Sequence, residues 1–249
     1  MAIHQTPAIV LKRQDYRESS ILATLFTREL GKIHGIAKGI RGPKSRFASR
    51  LEPFTENHVV VYEPTRGGDL FMVAQCDLQE PFLRLREDLA KSAYATYLVE
   101  LVDATQEPHD PQVAVYELLQ EGLSRLAATR APDWVRRVFE VRLLRLTGFL
   151  PRLEACVHCD ASTGVAWQFS VRLGGVLCPR CGAHDATARR VSRGAVATFR
   201  RVAAADWVVA ERIQCVRSVA RELGVILDHL LLVHLGRRPR SLEFLERVR

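Results

Sequence analysis

Four cysteines carry the sharpest chemical signal in the chain. Cys156-Val157-His158-Cys159 and Cys178-Pro179-Arg180-Cys181 are two Cys-x-x-Cys pairs with eighteen residues between them. Each pair forms a tight turn that aims two sulfurs at one point, and two such pairs at this spacing match a four-thiolate zinc site. Redox dithiols are the competing chemistry, but a thioredoxin-like site has one such motif at a helix start. Four thiolates fill a tetrahedral shell and leave no position for water or substrate. The expected cofactor is therefore a single structural Zn2+, not a catalytic one. His158 and His184 lie near enough in sequence to replace a sulfur, yet the cysteines already close the shell, and His158 reads as a polar turn residue. Gly182 follows the second pair, where a small residue eases the turn. Cys76, at a strand end, and Cys215, on an apolar helix face, read as small buried side chains.

A second constellation is electrostatic. The formal charge is +8, and residues 1–50 hold ten of the 36 basic side chains against only Asp15, Glu18 and Glu29. The rest of the chain is nearly balanced, with 26 basic and 25 acidic groups. Four of the five lysines also lie in that first fifth. A positive field so localised attracts polyanions, of which nucleic acid is the usual one in a cytoplasm. The stretch from Gly31 to Phe47, GKIHGIAKGIRGPKSRF, combines glycines at 31, 35, 39 and 42 with Lys32, Lys38, Arg41, Lys44 and Arg46. Charge, close main-chain approach and the hydroxyls of Ser45 and Ser49 suit a phosphate backbone. It is not a Walker loop, because the glycine spacing is wrong and no Gly-Lys-Ser/Thr closes it. The expected DNA contacts are Lys12, Arg13, Lys32, His34, Lys38, Arg41, Lys44, Arg46, Phe47 and Arg50. Phe47 could stack a base or anchor the loop in the core, and both readings stand open.

Two kinds of element must position these residues. TPAIVLKR, SSILATLF, KIHGIAKG, NHVVVYE and LFMVAQCDL read as five strands within residues 6–80. The apolar alternation runs through Ile21, Ala23 and Leu25, through Ile33, Gly35 and Ala37, and through Leu70, Met72 and Ala74. One long loop between the third and fourth strands suits a Greek-key barrel of the oligonucleotide-binding (OB) type, and an SH3-like barrel fits nearly as well. From Pro81 the period becomes helical, with Phe82, Leu85, Leu89, Ala93 and Leu101 along one stripe, and further helices follow to 150 and again after 190. The 151–187 insert carries the cysteine pairs, with AWQFSV and VLC as a hairpin around Arg172-Leu173-Gly174-Gly175. The expected architecture is multidomain α+β: a barrel over 1–80, a helical domain over 81–150 and 188–249, and a zinc-ribbon-like module over 151–187.

What is missing narrows the function class. There is no His-Glu-x-x-His, no Gly-x-Ser-x-Gly, no phosphate-binding loop and no tight acidic cluster for magnesium, so a binding protein is expected, not an enzyme. No apolar stretch reaches bilayer length, and MAIHQTPAIVLKR lacks a signal-peptide layout, which points to a reducing cytoplasm. A zinc-ribbon adaptor or transcription factor and a zinc-assisted nuclease are the competing classes. The adaptor would use Arg172, Arg180, Arg189 and Arg190. The nuclease would need an open metal site or paired carboxylates.

The run TPAIVLKRQDYRESSILATLFTRELGKIHGIAKGIRGPKSRF, followed by Leu51-Glu52-Pro53-Phe54, resembles the N-terminal barrel of the RecO recombination mediators. The likeness continues through the helices and cysteine pairs to RRPRSLEFL near the C-terminus, and AKGIRGPKSRF is its specific part. Some members lack the four cysteines, whereas this chain keeps all four. The resemblance implies binding of single- and double-stranded DNA, annealing of complementary strands, and a nucleoid-associated place in the cytoplasm. It further implies that the chain acts with RecR to load RecA onto DNA coated by single-stranded DNA-binding protein. That coating protein ends in an acidic, apolar tail, which the resemblance places on the helical domain. Arg136, Arg137, Arg142, Arg200 and Arg201 are the expected partner residues, since Phe139 and Phe199 would offer apolar surface beside charge.

Overall fold

Period-two alternation is what closes the N-terminal sheet on itself. A computed structural model describes residues 2–42, 47, 49–64, 68–162 and 167–248. The first five strands are β1 (Ile3–Tyr16), β2 (Ser20–Thr27), β3 (Gly31–Ala37), β4 (Glu56–Tyr62) and β5 (Leu70–Glu80). They form a closed barrel in the order β1-β2-β3-β5-β4. The β3–β5 pair is parallel, because β3 is antiparallel to β2 and β5 to β4, and both β2 and β4 are antiparallel to β1. That closure selects the OB arrangement over the SH3-like alternative. An irregularity between Val10 and Lys12 bends β1, so that residues 3–9 pair with β4 and 8–16 with β2.

Ile21, Leu25 and Ile33 are fully buried in the barrel core with Val10, Val59 and Leu51. Each such side chain contributes about 1.5–3 kcal/mol of transfer free energy. On β5 the inward face is not the one the alternation suggested. Phe71, Val73 and Cys76 point in, while Leu70 is exposed. A register shift opposite Val60 and Val61 inserts an extra residue on β5 and rephases it.

Helices pack on the barrel. The helical stripe does not run unbroken from Pro81: α1 (Leu83–Arg86) is one turn, and α2 (Leu89–Thr105) restarts where the Asp88 side chain accepts from the Lys91 amide. Leu89 is therefore exposed, and Ala93 and Leu101 are buried. Through α3 (Val113–Ala128), Tyr116 and Gln120 donate to the buried Glu56 carboxylate of β4, each at 2.8 Å. The connection before α3 lies against the start of β3, where the His109 amide donates to the Lys32 carbonyl at 3.0 Å. Gly31 is required there, with φ +68° and a Cβ that would fall 2.3 Å from the Asp110 carbonyl oxygen.

The chain divides into two compact units, residues 1–132 with 239–249, and residues 133–238. The second unit holds α4 (Pro132–Leu146), a small sheet of β6 (Trp167–Ser170), β7 (Gly175–Leu177) and β8 (Arg189–Val191), then α5 (Arg193–Ala204), α6 (Trp207–Arg212) and α7 (Arg217–Leu235). The expected helix through Arg212–Val216 is interrupted. Ile213 leaves α6 to bury its side chain, and α7 begins only at Arg217. Cys215 thus lies between helices, half-buried, not on a helix face. The last helix, α8 (Arg240–Arg247), belongs to the first unit. The Glu100 carboxylate on α2 accepts from the Arg240 and Ser241 amides at 3.0 and 2.8 Å, capping its N-terminus.

Candidate metal centre and nucleic-acid interface

The insert folds as the spacing predicts, with one strand more. β6 pairs with β7 through Ser170 and Gly175, and β8 adds to the other edge of β6. Three residues with two arginines are too short and too polar for β8 to show in an apolar pattern. The first cysteine turn is stitched to β7: the Val157 amide donates to the Val176 carbonyl, and the Val176 amide to that of Arg152. In the second turn the Cys181 amide donates to the Cys178 carbonyl at 3.0 Å. At Gly182 the Gln168 side-chain amide packs close, 2.2 Å from where a Cβ would stand, so a larger residue there would have to displace it.

These turns bring the sulfurs of Cys156, Cys159, Cys178 and Cys181 within 4.8 Å of one another, three of the cysteines buried and Cys159 exposed. The Cys159 and Cys178 sulfurs stand 3.7 Å apart. Ligands about 2.3 Å from a tetrahedral Zn2+ would lie about 3.8 Å from each other, so the set fits such an ion. The cluster can ligate a metal ion. The thiols of Cys156 and Cys181 differ in acidity. At Cys156 burial opposes ionisation, but backbone hydrogen bonds from Cys178, Cys159 and His158 outweigh it and bring the thiol down to about 6. At Cys181 burial and the neighbouring thiols of Cys159, Cys178 and Cys156 push it up to about 12. Behind the turns, Asp185 accepts from Ser170 and Thr187, which hold its carboxyl down at about 2.

The barrel cations separate into paired and unpaired. Lys12 is held by the Asp103 carboxylate of α2, and Lys32 donates to the Asp103 carbonyl at 2.6 Å with its side chain only 12% exposed. Arg13 pairs with Glu52 at 2.6 Å. Arg41 pairs with Asp15 at 2.8 Å, its amide donates to the Ser19 carbonyl, and its guanidinium also reaches the Arg17 carbonyl. Arg41 thereby ties the loop after β3 to the β1–β2 turn and acts on both. His34 is exposed, 3.3 Å from the Thr24 hydroxyl. Lys38 and Arg50 are exposed and form no ion pair among the described residues. Phe47 is half-buried against the barrel core, which favours the anchor over the stacking platform. Lys44 and Arg46 lie outside the described residues.

Of the four glycines expected to admit a phosphate, Gly31 faces Asp110 and Gly35 faces Val73 inside the barrel. Gly39 and Gly42 remain at the surface end. The β1–β2 turn contributes a pair not expected from the sequence: Arg17 lies over the exposed Tyr16 ring, 5.2 Å from its centroid. The signal available was an aromatic and a cation side by side, Tyr16-Arg17, where the strand pattern ends.

The arginines expected to receive a partner are mostly engaged. Arg136 is 2% exposed, 3.3 Å from Asp133 and 3.7 Å from Glu140. Arg137 is buried against Glu140 at 2.9 Å and Asp228 at 2.7 Å. Arg142 donates to the Ala205 carbonyl and lies over the Trp207 ring. Arg200 and Arg201 are exposed, Arg200 lying 3.9 Å from Glu154. Charge beside apolar surface occurs instead in a groove of about 440 Å³ between the small sheet and α7. Phe169, Val225 and Leu232 line it together with Arg189, Arg190 and Arg221, and with Glu222, whose carboxylate accepts from Ser192. No ion pair is formed by these three arginines among the described residues.

Sequence comparison gives relatives over the whole chain. The family model "Recombination protein O N terminal" matches residues 1–82, and "Recombination protein O C terminal" matches residues 86–243. The DNA repair protein RecO of Moorella thermoacetica is 37% identical over 99% of this chain and 91% of its own length. Those of Symbiobacterium thermophilum and Myxococcus xanthus are 35% and 34% identical, each covering 100% of this chain and 99% of the relative.

Proposed function

The chain belongs to the RecO family, and on that premise we propose that it is a mediator of DNA repair and homologous recombination. It binds single- and double-stranded DNA, anneals complementary strands, and acts with RecR to load RecA onto DNA coated by single-stranded DNA-binding protein. The modules are the barrel of residues 1–80, the helical segments 81–150 and 188–249, and the metal module of 151–187. Its place is the cytoplasm, with the nucleoid. Among the described residues no helix is long and apolar enough to cross a membrane.

The observation that carries this reading is the barrel end where Arg41 ties the β1–β2 turn to the loop after β3. There Arg17 and Lys38 offer charge and form no ion pair among the described residues, Asp15 being paired to Arg41, and the exposed Tyr16 ring lies beneath Arg17. Backbone neutralisation and stacking need no sequence readout, which suits a protein that must pair any two complementary strands. Lys12, Arg13 and Lys32 reach phosphate only by leaving Asp103 and Glu52, so they rank below Arg17, Lys38 and Arg50. With purified chain, annealing of bare complementary oligonucleotides should accelerate, and Arg17→Ala with Lys38→Ala should remove most of that acceleration. Undiminished annealing by this variant would move the DNA off the barrel end.

The ion in the cysteine cluster is Zn2+, held for structure: four thiolates suit a soft-to-borderline cation and leave no open position. That completeness disfavours a zinc-assisted nuclease. The acidic tail of single-stranded DNA-binding protein docks in the groove along α7, where apolar wall and unpaired arginines coincide. Arg200 and Arg201 lie on α5 as secondary contacts. Replacing Arg189, Arg190 and Arg221 by alanine should weaken a tail peptide at least tenfold in fluorescence anisotropy, a loss of about 1.4 kcal/mol. Unchanged affinity would return the tail to α5.

A further inference from the structure

Two imidazoles stand on the metal module outside the four-thiolate set. His158 lies inside the first cysteine turn, and His184 closes the short turn after the second. Their rings stack with centroids 3.8 Å apart and planes 27° apart, both exposed. One ligand atom from each, together with the Cys181 sulfur, falls within a single span of 4.8 Å. The main chain of His184 is held on both sides. The His184 amide donates to the Cys181 carbonyl at 3.0 Å, and Arg172 donates to the His184 carbonyl at 2.7 Å.

From this we propose a second metal site, made by His158, His184 and a bridging Cys181 thiolate, for a borderline divalent cation such as Zn2+ or Co2+. The proposal rests on the four-thiolate reading. A divalent ion with four thiolates carries a formal charge of about −2, and each bound sulfur keeps lone pairs directed away from the first ion. A second cation beside Cys181 relieves that charge. Imidazole nitrogen and thiolate sulfur are donors such a cation prefers. Metal–nitrogen bonds of about 2.0–2.1 Å and a metal–sulfur bond of about 2.3 Å bring the donor atoms to about 3.4–3.6 Å of one another. Exposed rings reach that by small side-chain rotations. Three protein ligands leave a fourth position for water, so this ion exchanges readily while the first stays closed in.

The competing role for the two rings is donation of N–H hydrogen bonds to the cluster thiolates, which supports the first ion and binds no second. Titration of the purified, metal-loaded full chain with Co2+ separates the two. The wild type is expected to take up one further equivalent, with the absorption of a thiolate- and nitrogen-ligated ion. His158→Ala with His184→Ala is expected to take up none while keeping its first ion and its melting temperature. Losing an outer-shell partner already costs about 10–100-fold in affinity, so each single histidine variant should weaken the second equivalent by more than about tenfold. No uptake by the wild type at large molar excess, or equal uptake by the double variant, would overturn the second site. Loss of the first ion from the double variant would overturn it as well, because the imidazoles would then serve the four-thiolate set. A wild type purified without a first ion would instead count against the four-thiolate reading itself.

Discussion

Replacing Arg17, Lys38 and Arg50 together by alanine should flatten the salt dependence of DNA binding, whereas replacing Lys12, Arg13 and Lys32 should leave most of it. The first three are exposed and hold no carboxylate among the described residues. The second three are bound to Asp103 and Glu52, with Lys32 only 12% exposed. Each phosphate that is no longer neutralised takes about 0.9 from the slope of log K against log salt on duplex and about 0.7 on single strands. The unpaired set is thus expected to lower the slope by up to about 2–2.7. For the paired set a change of less than about 1 is expected on the same scale, because those cations release few counterions on binding. Its cost falls on stability instead. The largely buried hydrogen bond from Lys32 to Asp103 is charge-assisted, and removing it should cost about 1–3 kcal/mol in denaturant unfolding. Fluorescence anisotropy over a salt series, with one single-stranded and one duplex oligonucleotide, reads the slopes directly. Equal flattening by both sets would refute the division into paired and unpaired cations.

Other consequences concern the second unit. Cys156→Ser should release the metal and destabilise residues 133–238, while the barrel, which supplies no ligand, keeps its melting transition; metal analysis with calorimetry checks this. Because the thiols must lose their protons to bind, metal affinity should rise with pH. With Cys181 pushed up to about 12 in the free cluster, the rise should continue above pH 7, and a flat profile between pH 6 and 8 would count against thiolate ligation. Asp185, held at about 2 by Ser170 and Thr187, is depressed below its ordinary value of 3.8. Its contribution to stability is present above pH 4 and fades as pH falls toward 2. Asp185→Asn should remove that acid dependence from Trp167 fluorescence. Glu140→Gln leaves Arg136 with Asp133 and Arg137 with Asp228 but removes their shared carboxylate, and a loss of about 1–3 kcal/mol is expected in urea unfolding. A loss below 1 kcal/mol would mean the pair relaxes to water.

The barrel and the cysteine turns were legible because their signals are local. Alternation at Ile21, Ala23, Leu25 and Ile33 and the two Cys-x-x-Cys spacings depend on residues that are neighbours in sequence. Signals that depend on a distant partner were not legible. The rephasing of β5 comes from pairing with β4, which turned Phe71 and Val73 inward in place of Leu70 and Met72. Clustering of ten cations in residues 1–50 located the positive field. It did not show that Lys12 and Lys32 would be held by Asp103, seventy or more positions away. Arg136 and Arg137 beside Phe139 resembled a receptor for a carboxylate, and they do face carboxylates, those of the buried Glu140 and the half-buried Asp228 of the protein itself. The groove along α7 is lined from three separated segments, so no window of sequence contains it.

The central claim is tested most directly by annealing complementary strands precoated with single-stranded DNA-binding protein, using the purified chain with and without RecR and following RecA assembly on the product. The account predicts that the chain anneals the coated strands, and that RecA filaments form on coated DNA only when both the chain and RecR are present. Annealing of bare strands alone, with coated strands left inert and RecA assembly unchanged by the chain, would contradict it.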